Sequence, residues 1–105
     1  MKAPRRGEIW WVEAPNRGRR PYLIMTRSAA IPVLNSVLAV PLTRTIRDIP
    51  TEVPLSAADG VHQDSVASFD NMTVIPKAHL VDRMAQLSPG RISEACRALQ
   101  AAVGC

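Results

Sequence analysis

Short apolar segments separated by turn residues alternate along most of the chain. They are rich in the β-branched and aromatic residues that favour strands. Segment 22–26 is almost entirely apolar, which is typical of a strand buried on both faces. Pro41 and Pro54 lie inside two other segments. Because proline cannot donate a ladder hydrogen bond, we expect both strands to lie at a sheet edge or to contain a bulge. The predicted strands are 7–13, 22–26, 36–43, 51–55, 65–70, 71–75 and 81–87.

The last segment follows a helical pattern. Ser88 and Pro89 are the residue types of an N-cap and a first helical position, and Gly104 is a typical helix stop. Apolar residues recur between them at three- and four-residue spacing: Ile92, Ala95, Cys96, Leu99, Ala102 and Val103. We therefore predict one domain, 1–105, of the mainly β (α+β) class. It should be a small, twisted antiparallel sheet of the SH3-like barrel type with a C-terminal α-helix.

Composition excludes several classes of protein. No apolar run is long enough to span a bilayer, and the charged N-terminus has no apolar stretch behind it, so it is not a secretory signal. Cys96 and Cys105 lack metal-ligand spacing and are too few to staple a scaffold, which favours reduced thiols. We expect a cytoplasmic protein with no membrane association and no disulfide.

Charge is distributed unevenly along the chain. Residues 1–47 carry nine of the thirteen Lys and Arg but only Glu8 and Glu13 among the acids, a net charge of +7. Residues 48–105 carry a net charge of −3. Arginine exceeds lysine in the first half, and its planar guanidinium suits bidentate phosphate contacts. A polyanionic partner for the first half is one interpretation. A solvated surface that maintains solubility is the other.

Candidate chemistry lies at the ends of predicted strands. Pro21 favours an extended Arg20 at the start of a strand, while Thr43 and Asp70 each end one. Strand ends of a small sheet often share a rim, so these three side chains could meet. Arginine would stabilise charge on a phosphate, threonine would donate a hydrogen bond, and a carboxylate would orient or accept the proton of a substrate 2′-hydroxyl.

Other chemistry has less support in the sequence. There is no glycine-rich phosphate loop, and no His or Cys pair has metal-ligand spacing, so neither a metal nor a cofactor is expected. His79 is interpreted as a surface or turn residue, whereas His62 lies in a loop and could touch a ligand. A histidine pair acting as acid and base on phosphate remains open, because separation in sequence does not limit separation in space.

Six short motifs occur in a characteristic order. They are Arg-Gly-Glu-Ile-Trp at 6–10, Gly-Arg-Arg-Pro-Tyr-Leu-Ile-Met at 18–25, Val-Pro-Leu-Thr at 40–43, Pro-Thr-Glu-Val-Pro-Leu at 50–55, Asp-Ser-Val at 64–66 and Ile-Pro-Lys at 75–77. Together they resemble the MazF/PemK (Kid) family of type II toxin–antitoxin endoribonuclease toxins, over almost the whole chain.

This resemblance implies a CcdB/Kid/MazF-like fold and a homodimer whose groove binds single-stranded RNA. It also implies sequence-selective, metal-independent cleavage of the mRNA interferase type. The substrate's 2′-hydroxyl attacks, leaving a 2′,3′-cyclic phosphate and a 5′-hydroxyl, and growth is inhibited. The implied partner is a cognate antitoxin whose acidic C-terminal segment occupies the RNA groove.

The resemblance also implies roles for particular residues. Arg20 and Thr43 match the family's catalytic arginine and strand-end hydroxyl. Some members add an Arg-x-Asp acid–base pair, and that place reads Ser68-Phe69-Asp70 here, so Asp70 is kept as a catalytic candidate and Ser68 as a substrate contact. Backbone contacts to RNA are expected from Arg17, Arg19, Arg44 and Arg47. Alternating strand geometry places one of Trp10 and Trp11 inward; the outer one could stack a base or pack in an interface.

Two other functions remain open at this stage. The same fold class includes non-catalytic toxins that act by binding a protein such as DNA gyrase, through an aromatic anchor at the end of the C-terminal helix. This chain ends Ala101-Ala102-Val103-Gly104-Cys105, without such an anchor. An inactive family member retained for RNA or antitoxin binding is the third interpretation.

Overall fold

The computed structural model describes residues 3–104, so Cys105 lies outside the described residues. Its regular elements are β1 Glu8–Ala14, β2 Gly18–Ile24, β3 Ser36–Thr43, β4 Glu52–Leu55, β5 Ser65–Ser68, β6 Thr73–Pro76, β7 Leu80–Gln86 and α1 Pro89–Val103. All strand pairs are antiparallel, in the order β4-β5-β3-β2-β1-β7. β6 lies off this path and pairs with β3.

Strand β3 is central, and this corrects the edge or bulge position expected from Pro41. One side of β3 pairs with β2 through Pro41 itself, opposite Tyr22. The other side pairs first with β6, up to Ala39, and then with β5, from Leu42 onward. Pro41 lies at this changeover, where neither β5 nor β6 is paired with it. A missing N–H is tolerated here inside a sheet because one partner strand has ended and the next has not begun. Pro54 behaves as predicted, since β4 is a terminal strand of the order.

Strands β1 and β2 form a tight hairpin. Ala14 pairs with Gly18, and the turn between them contains Asn16 (φ 64°), followed by Gly18 itself (φ 69°). These left-handed conformations suit Asn and Gly. Strand β2 starts earlier than the predicted residue 22, because its pairing with β1 extends over the solvent-exposed residues 18–20. Arg19 and Arg20 therefore lie within β2 and not in the preceding loop.

Both faces of the sheet are covered around β1 and β2. Ile9 packs into the larger core, against residues of α1, whereas the next residue, Trp10, packs into a smaller cluster on the opposite face. Leu23 likewise packs into the larger core and Ile24 into the smaller cluster. Both are fully buried, as the apolar run predicted. Trp11 is half-buried, so the two tryptophans do face opposite sides.

Helix α1 begins and ends where its sequence predicted. The Ser88 side chain accepts a hydrogen bond from the Arg91 amide, and Gly104 takes a left-handed conformation after the last turn. The buried positions of α1 differ in part from the predicted apolar face, since Ala98 is buried and Val103, at the helix end, is about half exposed. No helix among residues 3–104 is long and apolar enough to cross a membrane.

Candidate functional site

An open groove of about 940 Å³ lies where β2 and β3 stop pairing. Their ladder ends at Tyr22 opposite Pro41, although β2 starts at Gly18 and β3 continues to Thr43, which pairs with β5 instead. The start of one strand and the end of the other are thus left unpaired with each other. Residues from both strands, from the hairpin, from the segment after β3 and from the segment before β5 line this gap.

The structure places two of the three candidate side chains, Arg20 and Thr43, in the same groove. Both line the groove, and continuing the Tyr22–Pro41 register by two residues places them opposite each other. Since strand side chains alternate, both belong to the face that carries Tyr22 and Pro41. Arg20 is exposed, and no carboxylate among residues 3–104 pairs with it. The Thr43 hydroxyl accepts a hydrogen bond from the Thr45 amide (3.2 Å) and keeps its own proton free to donate.

Further arginines surround this pair. Arg17 in the hairpin turn, and Arg44 and Arg47 after β3, also line the groove and are exposed. None of the groove-lining residues in the described chain is an Asp or a Glu. Four guanidinium groups with no lining carboxylate create a strongly positive potential, as a polyanion requires.

The segment after β3, which contains Arg44 and Arg47, is fixed by hydrogen bonds. The buried carboxylate of Glu52 accepts a hydrogen bond from the Arg47 amide (2.9 Å), and Asp48 adopts a left-handed conformation (φ 54°). Arg44 donates to the Gln63 side-chain oxygen (2.8 Å), which joins this segment to the one before β5. The groove margin is therefore positioned by specific contacts and does not depend on the arginine side chains alone.

Two predicted site residues lie elsewhere. Asp70 is exposed and outside the groove lining, and its carboxylate accepts a hydrogen bond from the Thr51 hydroxyl (2.6 Å). Arg19 is also outside the lining; it lies on the opposite face of β2 from Arg20 and pairs with Asp82. Ser68, in contrast, does line the groove, where it is buried and accepts from the Asn71 amide group (2.9 Å). The structure thus groups Ser68 with Arg20 and Thr43 and separates Asp70 from them.

Several lining residues were not singled out from the sequence. Tyr22 and Asn71 contribute a phenol and an amide, and Gln63 contributes the acceptor for Arg44. Tyr22 could have been found from strand alternation, since it is two residues from Arg20. Asn71 and Gln63 carry no such signal, because they reach the groove only through the packing of non-adjacent segments.

The segment before β5 is anchored to α1. The Arg91 guanidinium pairs with the Asp59 carboxylate (3.0 Å) and with Glu94 (2.8 Å). Hydrogen bonds to Glu94 and then to Asp59 raise the pKa of Arg91 above its ordinary value. Asp59 also accepts from the Ser56 amide (2.9 Å). Across residues 3–104, no three His, Cys, Asp or Glu side chains are grouped as metal ligands would be.

Comparison with known proteins identifies the family. Residues 5–103 match the family described as PemK-like, MazF-like toxin of type II toxin–antitoxin system. The chain is 40% identical over 102 residues to the probable endoribonuclease MazF2 of Mycobacterium tuberculosis, covering 96% of this chain and 99% of that protein. It is also 40% identical over 103 residues to the probable endoribonuclease MazF5 of the same organism, covering 97% and 94%.

Solved structures agree with this assignment. An endoribonuclease in complex with its cognate antitoxin, from a mycobacterial species, superimposes with a TM-score of 0.88 at 30% identity, covering 97% of this chain and 96% of that one. The Mycobacterium tuberculosis toxin MazF-mt6 superimposes with a TM-score of 0.85 at 33% identity, covering 92% and 96%. The chain therefore belongs to the PemK-like, MazF-like toxins. The predicted family, fold class and endoribonuclease class of activity are all confirmed.

Proposed function

We propose that this endoribonuclease toxin binds single-stranded RNA in the arginine-lined groove and cleaves it without a metal ion. The observation that carries the proposal is the groove itself, with four arginines, a strand-end hydroxyl and no lining carboxylate in the described chain. A groove of this composition attracts the phosphate backbone and provides donors for a phosphate that gains charge.

The cleavage step needs only the substrate's own nucleophile. The RNA 2′-oxygen forms a bond to the adjacent phosphorus, and the bond from phosphorus to the 5′-oxygen breaks. The 2′-hydroxyl proton passes to water in the open groove, and the departing 5′-oxygen takes a proton from water. The products are a 2′,3′-cyclic phosphate and a 5′-hydroxyl.

Arg20 and Thr43 have distinct roles in this step. The Arg20 guanidinium neutralises the charge that builds up on the non-bridging phosphate oxygens, and its freedom from a carboxylate partner keeps its full charge available. The Thr43 hydroxyl donates a hydrogen bond to one of those oxygens. Arg17, Arg44 and Arg47 bind flanking phosphates, and Ser68 contacts the substrate from the groove floor.

The same groove suits the partner of the toxin. We propose that a cognate antitoxin inserts an acidic segment among these arginines, so that RNA and antitoxin compete for one surface. A relative solved in complex with its cognate antitoxin supports this partner. The working form is proposed to be a homodimer in the cytoplasm, where cellular RNA is cleaved at short sequences and growth is arrested.

Mapping the ends of cleaved RNA tests the proposal. Purified toxin is incubated with long single-stranded RNA in excess chelator, and the new 5′ ends and 3′ termini are sequenced. We expect cuts at a few positions, with 5′-hydroxyl and cyclic-phosphate ends. Arg20→Ala and Thr43→Val should each lower cleavage by about 100-fold or more, since loss of a single transition-state donor has effects of this size.

A conservative variant of Thr43 and a substitution outside the groove serve as controls. Thr43→Ser keeps the hydroxyl and should retain most activity, and Arg97→Ala removes an exposed arginine of α1 that does not line the groove. Full activity of Arg20→Ala would refute the assigned site. Absence of cutting in any cellular RNA by the unmodified toxin would instead favour a toxin that binds a protein target.

A further inference from the structure

Two side chains contact the ring of Trp11, which lies on the sheet face that packs against α1. The Arg19 guanidinium carbon lies 5.5 Å from the centre of the Trp11 ring, and the His62 ring centre lies 5.9 Å from it, tilted by 55°. These residues come from β2, β1 and the segment before β5. Two of the three, Trp11 and His62, line the groove.

The Trp11 ring is held in place by its neighbours. β1 lies between β2 and β7, and Trp11 is in register with Asp82 of β7. Arg19 of β2 reaches across β1 to pair with Asp82, so its guanidinium passes over the indole on the way. The cation–π contact and the ion pair together fix the orientation of the ring.

His62 is exposed, but the segment that carries it is not loose. Its neighbour Val61 is buried, Gln63 accepts from Arg44, and Asp59 is paired with Arg91 of α1. The segment therefore presents the imidazole to the groove from fixed points on both sides. Because His62 is exposed, burial in the core does not account for its ring.

An exposed imidazole against a half-buried indole, in an arginine-lined groove, has a recognisable chemistry. Proteins that bind single strands combine cations that follow the backbone with rings on which bases stack. We propose that His62 and Trp11 form a platform on which one nucleobase of the RNA stacks, in the same groove that Arg20 and Thr43 line. The proposal rests on the proposed function. It adds the residues that seat a base and thereby set which phosphate is cut.

The platform is tested by binding, separately from cleavage. The probe is a fluorescein-labelled pool of random single strands of about 12 nucleotides, a length within the usual site size. The strands carry 2′-deoxyribose throughout, so they cannot be cut by 2′-attack. Dissociation constants are measured by anisotropy for the unmodified toxin and for His62→Ala, His62→Phe and His62→Gln.

A stacking platform predicts a particular order among these variants. His62→Ala and His62→Gln should weaken binding by about 10-fold, the size expected for the loss of one stacked base. His62→Phe, which keeps a ring, should stay within about threefold of the unmodified toxin on the same basis. His79→Ala is the matched control, because that histidine lies outside the groove. Melting temperatures show whether each variant is folded.

Tryptophan emission gives a second readout of the platform. Trp10 is buried and donates to Glu8 (3.0 Å), so a change on adding strands reports chiefly on Trp11. We expect quenching that saturates with the same dissociation constant as the anisotropy change, and that is reduced in His62→Ala.

Each result distinguishes this inference from the proposed function. Unchanged binding by His62→Ala overturns the platform while cleavage by the unmodified toxin still supports the function. Retained binding by His62→Gln with loss in His62→Phe points to a hydrogen bond and also overturns it. A toxin that binds strands but cuts no RNA refutes the function alone, since the binding comparison still decides the platform. A toxin that neither binds these strands nor cuts RNA overturns both.

Discussion

Adjacent arginines in β2 have opposite electrostatic situations. Arg19 is paired with Asp82 and lies over Trp11, whereas Arg20 has no carboxylate partner in the described chain and faces the groove. Arg83 and Arg91 are also paired, with Glu8 (3.1 Å) and Asp59 (3.0 Å) respectively. Strand alternation explains the difference between Arg19 and Arg20, because neighbouring residues of a strand point to opposite faces of the sheet. The arginine proposed to act on phosphate therefore keeps a charge that no internal partner neutralises.

Asp70 is the residue whose predicted role agrees least with its position. Because its carboxylate bonds to Thr51 and lies outside the groove lining, we expect Asp70→Asn to keep cleavage within about threefold of the unmodified toxin, well short of what loss of an acid or base causes. The free energy of unfolding should fall by less than about 1 kcal/mol, as for one exposed hydrogen bond.

Initial cleavage rates and urea denaturation check this expectation for Asp70. Thr51→Val is the matched variant, since it removes the donor of this bond, whereas Asp70→Asn keeps an acceptor oxygen; its loss of stability should also be less than about 1 kcal/mol. A loss of about 100-fold in rate for Asp70→Asn, with stability unchanged, would instead support the acid–base role implied by the family resemblance.

At the scale of elements, part of the groove wall is formed by the connection between β4 and β5, residues 56–64. Gly60 has φ of 92°, and a Cβ added there would lie 2.9 Å from the Ala85 Cβ of β7. The turn at Gly60 thus packs directly against β7, two residues before His62. Only a residue without a side chain fits both the conformation and the space.

Gly60→Ala should consequently lower the free energy of unfolding by about 2–4 kcal/mol, from the left-handed conformation and the contact together. Gly18→Ala is the matched variant, because Gly18 also has positive φ (69°) but nothing lies within 4 Å of an added Cβ. Its loss should be about 1–2 kcal/mol. Equal losses for the two variants, measured by urea denaturation, would show that the contact with Ala85 relaxes without cost.

At the scale of the whole molecule, charge is concentrated where the fold exposes it. The chain has a net charge of +4, yet four of its arginines line one groove that lacks lining carboxylates in the described residues. Four acids pair with arginines outside the groove, and Glu52 accepts from a backbone amide; the four are Glu8, Asp59, Asp82 and Glu94. The protein therefore presents one strongly basic surface in spite of a modest overall charge.

Binding of single strands should be correspondingly sensitive to salt. If the four groove arginines each bind a phosphate, the logarithm of the association constant should fall against the logarithm of salt concentration with a slope of about −3. Arg17→Ala, Arg44→Ala and Arg47→Ala should each reduce the slope by about 0.7, and Arg97→Ala should leave it unchanged. Anisotropy titrations at several salt concentrations measure it. A slope near zero would contradict binding through the backbone.

Local chemistry made much of the fold predictable. Ser88, Pro89 and Gly104 determine the ends of α1 through a side-chain cap, a fixed φ and a left-handed stop, all of which act within one helical turn. The bounds of β3 were likewise predicted, because its apolar run is closed by polar residues. Pro41 was misplaced for a non-local reason: its tolerance depends on β5 and β6 sharing one side of β3, which only the order of distant strands decides.

The site divides in the same way. The sequence by itself determined that an arginine held by Pro21 and a strand-end threonine belong to one family pattern, since these signals are residue types at short spacing. Tertiary structure alone decided that Arg20 and Thr43 share a groove and that Asp70 does not line it. It also decided that the His62 ring contacts the Trp11 ring. Those relations arise where β2 and β3 stop pairing and where the segment before β5 packs against the sheet. Residues far apart in sequence meet there, and no local pattern encodes that meeting.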